Sequence, residues 1–250
     1  MRRVAYVFPL LAGAALFFSL QSSRASRAQQ KLATANASAK TDAFVPLEQD
    51  LIGEINLART RPAEYASYLE QLRPYFAGKE YRRPGKPALM TEEGTSALEE
   101  AIKFLRSVKP AAPLGLSTGM CAGARELVKD QGATGATGHR GSDGSFCEQR
   151  TQRFGNWTGD IGEDLNYSDD AARERVITLL IDDGIANRGH RLRLFDPNYK
   201  VVGVACGDHK LGGMCVITFA GGFNEKVGSA QPQAGKNAGT ATVPAGVRRF

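Results

Sequence analysis

The chain has 250 residues, of which 42% are hydrophobic, enough to bury a core and too many for a chain that is disordered throughout. Its formal charge of +6 would suit a polyanionic partner, but the excess sits at the ends. Residues 1–46 carry six basic side chains against one acidic, and residues 224–250 four against one, so residues 47–223 are left near −2 and no nucleic-acid surface is expected on the folded part.

Met1-Arg2-Arg3 followed by the apolar run Val4 to Leu20 and the small-residue segment Ser26-Arg27-Ala28 reads as an export signal, residues 1–28, cleaved after Ala28. The expected location is secreted or extracellular. An uncleaved run would instead leave the protein periplasmic or anchored to a membrane through residues 4–20, and no later segment is apolar enough to span a bilayer. Residues 29–46 are polar and rich in Ala and Ser, which predicts a flexible linker. Residues 224–250, with their Gly, Ala, Gln and Pro, predict a disordered tail. One domain is expected between them, over 47–223.

Leu47, Leu51, Ile52 and Ile55 recur at helical spacing, and Pro62 opens a second helix. Pro84, Gly85 and Pro87 break the pattern before Leu98, Ile102 and Leu105 resume it. A further helix lies within Leu114 to Gln131 with Ser117 as N-cap, and Ser145-Phe146-Cys147-Glu148 fits a capping box. Asp169 to Asp183 predicts another helix. Its face carries Ala172, Val176, Leu179 and Leu180, and continuing the wheel places Asp183 among them and Asp182 toward the polar edge. Lys200 to Cys206 and Met214 to Ala220 read as two strands joined by a Gly-rich turn, in which His209 is expected to face solvent.

Four cysteines, Cys121, Cys147, Cys206 and Cys215, suggest two disulfides in an exported protein. Three pairings are possible. The hairpin favours Cys206 with Cys215, which leaves Cys121 with Cys147. No Cys-x-x-Cys spacing supports a thiolate zinc site.

Three short stretches carry the functional signal: Gly138-His139-Arg140-Gly141-Ser142-Asp143-Gly144 with Arg150 following, then Gly162-Glu163-Asp164-Leu165, then Gly189-His190-Arg191. With the following Asp196-Pro197-Asn198 and Val201-Val202-Gly203-Val204, their order resembles the CAP superfamily (cysteine-rich secretory, antigen 5, pathogenesis-related 1; the SCP domain), and its bacterial-type pattern in particular. The resemblance spans roughly Leu114 to Phe223. It implies an α/β fold, a single-domain three-layer α-β-α sandwich with a small antiparallel sheet. It also implies a cleft lined by two histidines and two carboxylates, here His139, His190, Glu163 and an Asp on the helix before the second histidine. The choice there is Asp182 or Asp183, and the helical-wheel argument selects Asp183. Asp164 stands where the family prefers Asn, and an extra run near Tyr75 to Ser107 precedes the matched region.

Two imidazoles and two carboxylates could hold a divalent metal, zinc foremost. If such an ion kept an open water position, Glu163 would serve as base in a metal-dependent, peptidase-like hydrolase. Binding without turnover is the leading expectation: the resemblance implies a sterol, a fatty acid, another apolar small molecule or a protein partner. Ser142 lacks a Gly-x-Ser-x-Gly setting.

Overall fold

The computed structural model describes residues 44–226; the signal segment and most of the linker and tail expectations lie outside the described residues. The chain divides into two compact units at Leu47/Glu48, and the fold described here is that of the second.

Helix α1 (Val45–Thr60) buries Leu51, Ile55 and Ala58 along one stripe, and α2 (Pro62–Glu70) begins on its proline, whose missing N–H costs nothing in a first turn. Three two-residue strands, β1 (Phe76–Ala77), β2 (Glu80–Tyr81) and β3 (Leu89–Met90), form a small antiparallel sheet ahead of α3 (Thr95–Ser107). This is the extra run noted in the sequence.

The main sheet has the order β4-β6-β7-β5, built from β4 (Gly115–Leu116), β5 (Gly155–Tyr167), β6 (Val201–His209) and β7 (Gly212–Glu225). Only the short β4–β6 pair is parallel. Nearly every residue of β6 and β7 from Val202 to Ala220 is buried, which requires cover on both faces. On one face, α4 (Thr118–Thr134) packs Ala124, Leu127 and Val128 on Ala205, Met214 and Val216. The approach is so close that a Cβ on Gly203 would come within 2.3 Å of the Met120 backbone. Helices α6 (Ala172–Ile181) and α7 (Gly189–Phe195) serve the other face, where Arg175 and Arg193 reach Asn166 and Asp164. The short α5 (Cys147–Gln152) precedes β5. The result is the expected α-β-α sandwich.

Several boundaries differ from the sequence reading for identifiable reasons. Ser117 does cap α4, accepting from Met120 N at 3.2 Å. The α5 box, however, starts one residue late: Gln149 accepts from Phe146 N at 2.9 Å, while Ser145 is engaged by Asp143. The β6–β7 turn shrinks to Lys210-Leu211, with Gly212 at φ +103°. His209 is thereby drawn into the ladder, 7% exposed, with Nε2 bonded to Ala136 O at 2.9 Å; its expected exposure is corrected. Strand β7 runs two residues past Phe223, to Glu225.

Cys206 and Cys215 face each other across β6 and β7 and are bonded. The remaining pair is not: Cys121 and Cys147 are free thiols. Elimination failed because each has other work or another setting. Cys121 Sγ accepts from Val204 N at 3.2 Å and so closes part of the β6 edge, while Cys147 starts α5, with Sγ 3.5 Å from Glu148 Oε2. Burial pushes the Cys121 thiol up to about 11 and the Cys147 thiol up to about 12, so neither is a ready nucleophile. Under denaturing, non-reducing conditions we expect two thiols per chain to react with Ellman's reagent, and almost none in the folded protein. A count of zero after denaturation would mean that Cys121 and Cys147 are bridged after all.

Candidate functional site

Strand β5 is not legible in the sequence, because its Gly- and Asp-rich composition lacks apolar alternation, yet it organises the site. Consecutive strand residues point to opposite faces. Glu163 lies opposite Thr218 and Asp164 opposite Ile217, so Glu163 joins the α4–α5 side and Asp164 the α6–α7 side.

Glu163 is held at both oxygens. Oε1 lies 3.0 Å from His139 Nδ1, and Oε2 accepts from Arg150 Nη2 at 2.6 Å. The Glu163 and Arg150 side chains are each 2% exposed, and Arg150 also donates to His139 O and Ser145 O. One guanidinium thus neutralises the buried carboxylate and holds the 139–145 loop in place, while the His139 side chain stays 46% exposed.

The second histidine has its own carboxylate, and it is Asp182, not Asp183. Helix α6 ends at Ile181, and Asp182 takes a left-handed conformation, φ 55°. Its Oδ1 lies 2.6 Å from His190 Nδ1, and Oδ2 accepts from His190 N and Arg191 N at 3.0 and 3.2 Å. The wheel that selected Asp183 assumed that the helix continued. After the left-handed residue, Asp183 turns away to accept from Glu92 N, Glu93 N and Gly94 N at 2.6, 2.9 and 3.0 Å. It ties down the backbone just ahead of α3 instead of facing a histidine. Arg188 reinforces that junction through Glu93 and Glu100, both at 2.6 Å.

The expected tetrad is therefore two pairs, His139–Glu163 and His190–Asp182. As placed, this donor set does not fit a divalent ion. Glu163 has an imidazole on one oxygen and a buried guanidinium on the other, and Asp183 is committed to backbone N–H groups. Among the described residues no group of three or more His, Cys, Asp or Glu side chains is arranged to hold a metal.

Asp164 is the residue that sequence reasoning undervalued, noting it only as a departure from Asn. Its carboxylate is fully buried and ion-paired with Arg193, and its Oδ2 has no hydrogen-bond partner. Burial outweighs the cations beside it and pushes its pKa up to about 6. Because the folded state binds this proton more readily than the unfolded state, its contribution is present below about pH 4 and lost as pH rises through about 6. Measured by urea denaturation, the stability of Asp164→Asn relative to wild type should therefore improve between pH 4 and pH 7, by on the order of 3 kcal/mol. A pH-independent difference would show that Asp164 titrates normally.

Beside the His190–Asp182 pair lies a cavity of about 590 Å³ between the small sheet, α6, β5 and the β6–β7 turn. Phe76, Tyr81, Leu165, Leu179 and Ile181 supply apolar wall, and His190 and Asp182 a polar end. His139 and Glu163 are not part of its lining.

Among the described residues no helix is long and apolar enough to cross a membrane. No curated protein matches the sequence. An extracellular protein containing an SCP domain from Bacillus anthracis str. Ames, solved at 1.5 Å, aligns with TM-score 0.37 and 18% identity over 48% of this chain and 37% of its own; the chain thus spans well under half of that protein. The family model described as the cysteine-rich secretory protein family, CAP, matches residues 99–219. That stretch holds both histidine pairs, whereas Phe76, Tyr81 and the rest of the small sheet that walls the cavity precede it. Residues 99–219 thus match the CAP family model, the same family that the order of the three motifs resembles.

Proposed function

We propose that this is an exported CAP-domain protein that binds an apolar or amphipathic small molecule in the cavity between the small sheet and α6, with His190 reading the ligand's polar end. The observation that carries this reading is the cavity itself: about 590 Å³ lies within the range of small-molecule sites, which are mostly apolar with a few placed polar groups. Asp182 orients His190 by taking its Nδ1–H, and with that proton placed the Nε2 atom can accept from a hydroxyl or, once protonated, donate to a carboxylate. The hydrogen bond to Asp182 raises the His190 pKa above its ordinary value. Extracellular placement is supported by the amino-terminal signal pattern and by the match to a family of secretory proteins. A metal-dependent hydrolase finds no support in the two-pair geometry.

Titration with a fluorescent sterol and with a polyene fatty acid tests the reading. We expect saturable binding near one ligand per chain. Thr178 lines the cavity and is exposed, so Thr178→Trp should fill the space, weaken binding at least tenfold and leave the melting temperature nearly unchanged. Absence of saturable binding, or binding indifferent to Thr178→Trp, would remove the proposal.

A further inference from the structure

The mouth of this cavity has an unusual rim. Nine large hydrophobic side chains are exposed among the described residues, and four of them, Leu89 at 51%, Met90 at 71%, Ile185 at 39% and Leu211 at 61%, line this one cavity. They come from three separate segments: β3, the loop between α6 and α7, and the two-residue turn between β6 and β7. A turn tip such as Lys210-Leu211 has no core to pack against, so folding does not explain a leucine there. Scattered exposed apolar residues need no explanation, but a ring of them around an apolar cavity marks a contact surface.

From this rim we infer that the protein docks on a lipid bilayer surface through Leu89, Met90, Ile185 and Leu211, bringing the mouth of the cavity against the membrane so that its ligand passes between bilayer and cavity without crossing water. The inference rests on the apolar-ligand reading above. Two features favour a bilayer over a protein partner or a second copy. Exposed lysines, Lys86 and Lys210, adjoin the apolar tips, Lys86 lying 3.6 Å from Asp170 and Lys210 donating to Thr134 O, an arrangement that lets apolar side chains enter the acyl boundary while ammonium groups stay near phosphate level. The carboxylates that line the cavity are already compensated: Asp170 by Arg83 at 2.7 Å and Lys86 at 3.6 Å, Asp182 by His190, and Asp183 by three backbone N–H groups. None of these three is left bare, and exposed Glu92, beside Gly184, lies outside the lining. The apolar surface of the rim also continues into the cavity wall, a path that suits a ligand sparingly soluble in water.

The full chain can be tested with Met90→Cys, Leu211→Cys and, as a control on another face, Leu192→Cys, which replaces a side chain 53% exposed. Each is labelled with an environment-sensitive nitrobenzoxadiazole dye and mixed with vesicles of phosphatidylcholine and phosphatidylserine in equal parts. We expect a blue shift and a several-fold intensity gain at positions 90 and 211, quenched by a lipid-phase nitroxide, with position 192 unchanged. Comparing positions keeps the result independent of any binding through residues 4–20. Probes at 90 and 211 that stay aqueous while the cavity takes up the polyene fatty acid would overturn the docking inference and leave the ligand reading intact. Blue shifts at 90 and 211 with no ligand uptake would sustain docking and sink that reading. A shift that grows with protein concentration without vesicles would make the rim a contact between copies and overturn the inference.

Discussion

Replacing Arg150 with Ala costs the folded protein on the order of 3–5 kcal/mol, the usual penalty for stranding one charge of a buried pair. Glu163 Oε2 and His139 O lose the donor that Arg150 gives them, while Ser145 O keeps Gly141 N. The Glu163 carboxylate, 2% exposed, is then left with only the imidazole of a half-exposed histidine. Glu163→Gln should be milder, roughly 1–3 kcal/mol, because its carbonyl still accepts from Arg150. The double variant Arg150→Met, Glu163→Gln should be more stable than Arg150→Ala alone, since no buried carboxylate remains to be desolvated. Urea denaturation of the three variants measures this directly. A cost below about 1 kcal/mol for Arg150→Ala would mean that water reaches Glu163 and that the pair is in effect a surface one.

That such an arginine sits behind the site was not legible in the sequence. The three motifs singled out His139, Glu163 and His190, which the structure gathers into two separate histidine–carboxylate pairs instead of the single cleft expected. The amphipathic helices were equally plain: α3 follows from Leu98, Ile102 and Leu105, and α4 from its Ser117 cap. What failed depended on a single local event or on long-range pairing. Strand β5 has almost no apolar alternation of its own and is held by its ladder with β7. His209 is buried because the hairpin turn is two residues long instead of seven. The second disulfide failed because elimination treats a free thiol as impossible, whereas Cys121 serves as an acceptor at the β6 edge. Arg150 stands out in the sequence only as a basic residue following the first motif, and its spacing does not announce that it passes between a loop and a strand.

The adjacent aspartates at the end of α6 give the sharpest test of the site, because one backbone angle separates their roles. Asp182→Ala removes the acceptor for two backbone N–H groups and an imidazole, and should cost roughly 2–4 kcal/mol. It should also lower the His190 pKa, which rises chiefly through its hydrogen bond to Asp182. For a histidine whose folded pKa is raised, the stabilisation is complete below the unfolded value near 6.5 and fades as pH rises through the higher folded value. The stability gap between wild type and Asp182→Ala should therefore be widest at pH 5 and narrower at pH 8. Asp183→Ala should also destabilise, but with an unchanged His190 titration by NMR and faster amide exchange at Glu92, Glu93 and Gly94, which lose their shared acceptor. Because Asp183 lines the cavity and ties down the backbone between the small sheet and α3, Asp183→Ala should loosen the ligand site while leaving the His190–Asp182 pair intact. If Asp183→Ala moves the His190 titration and Asp182→Ala does not, the helix continues through 183 and the sequence-based choice was right.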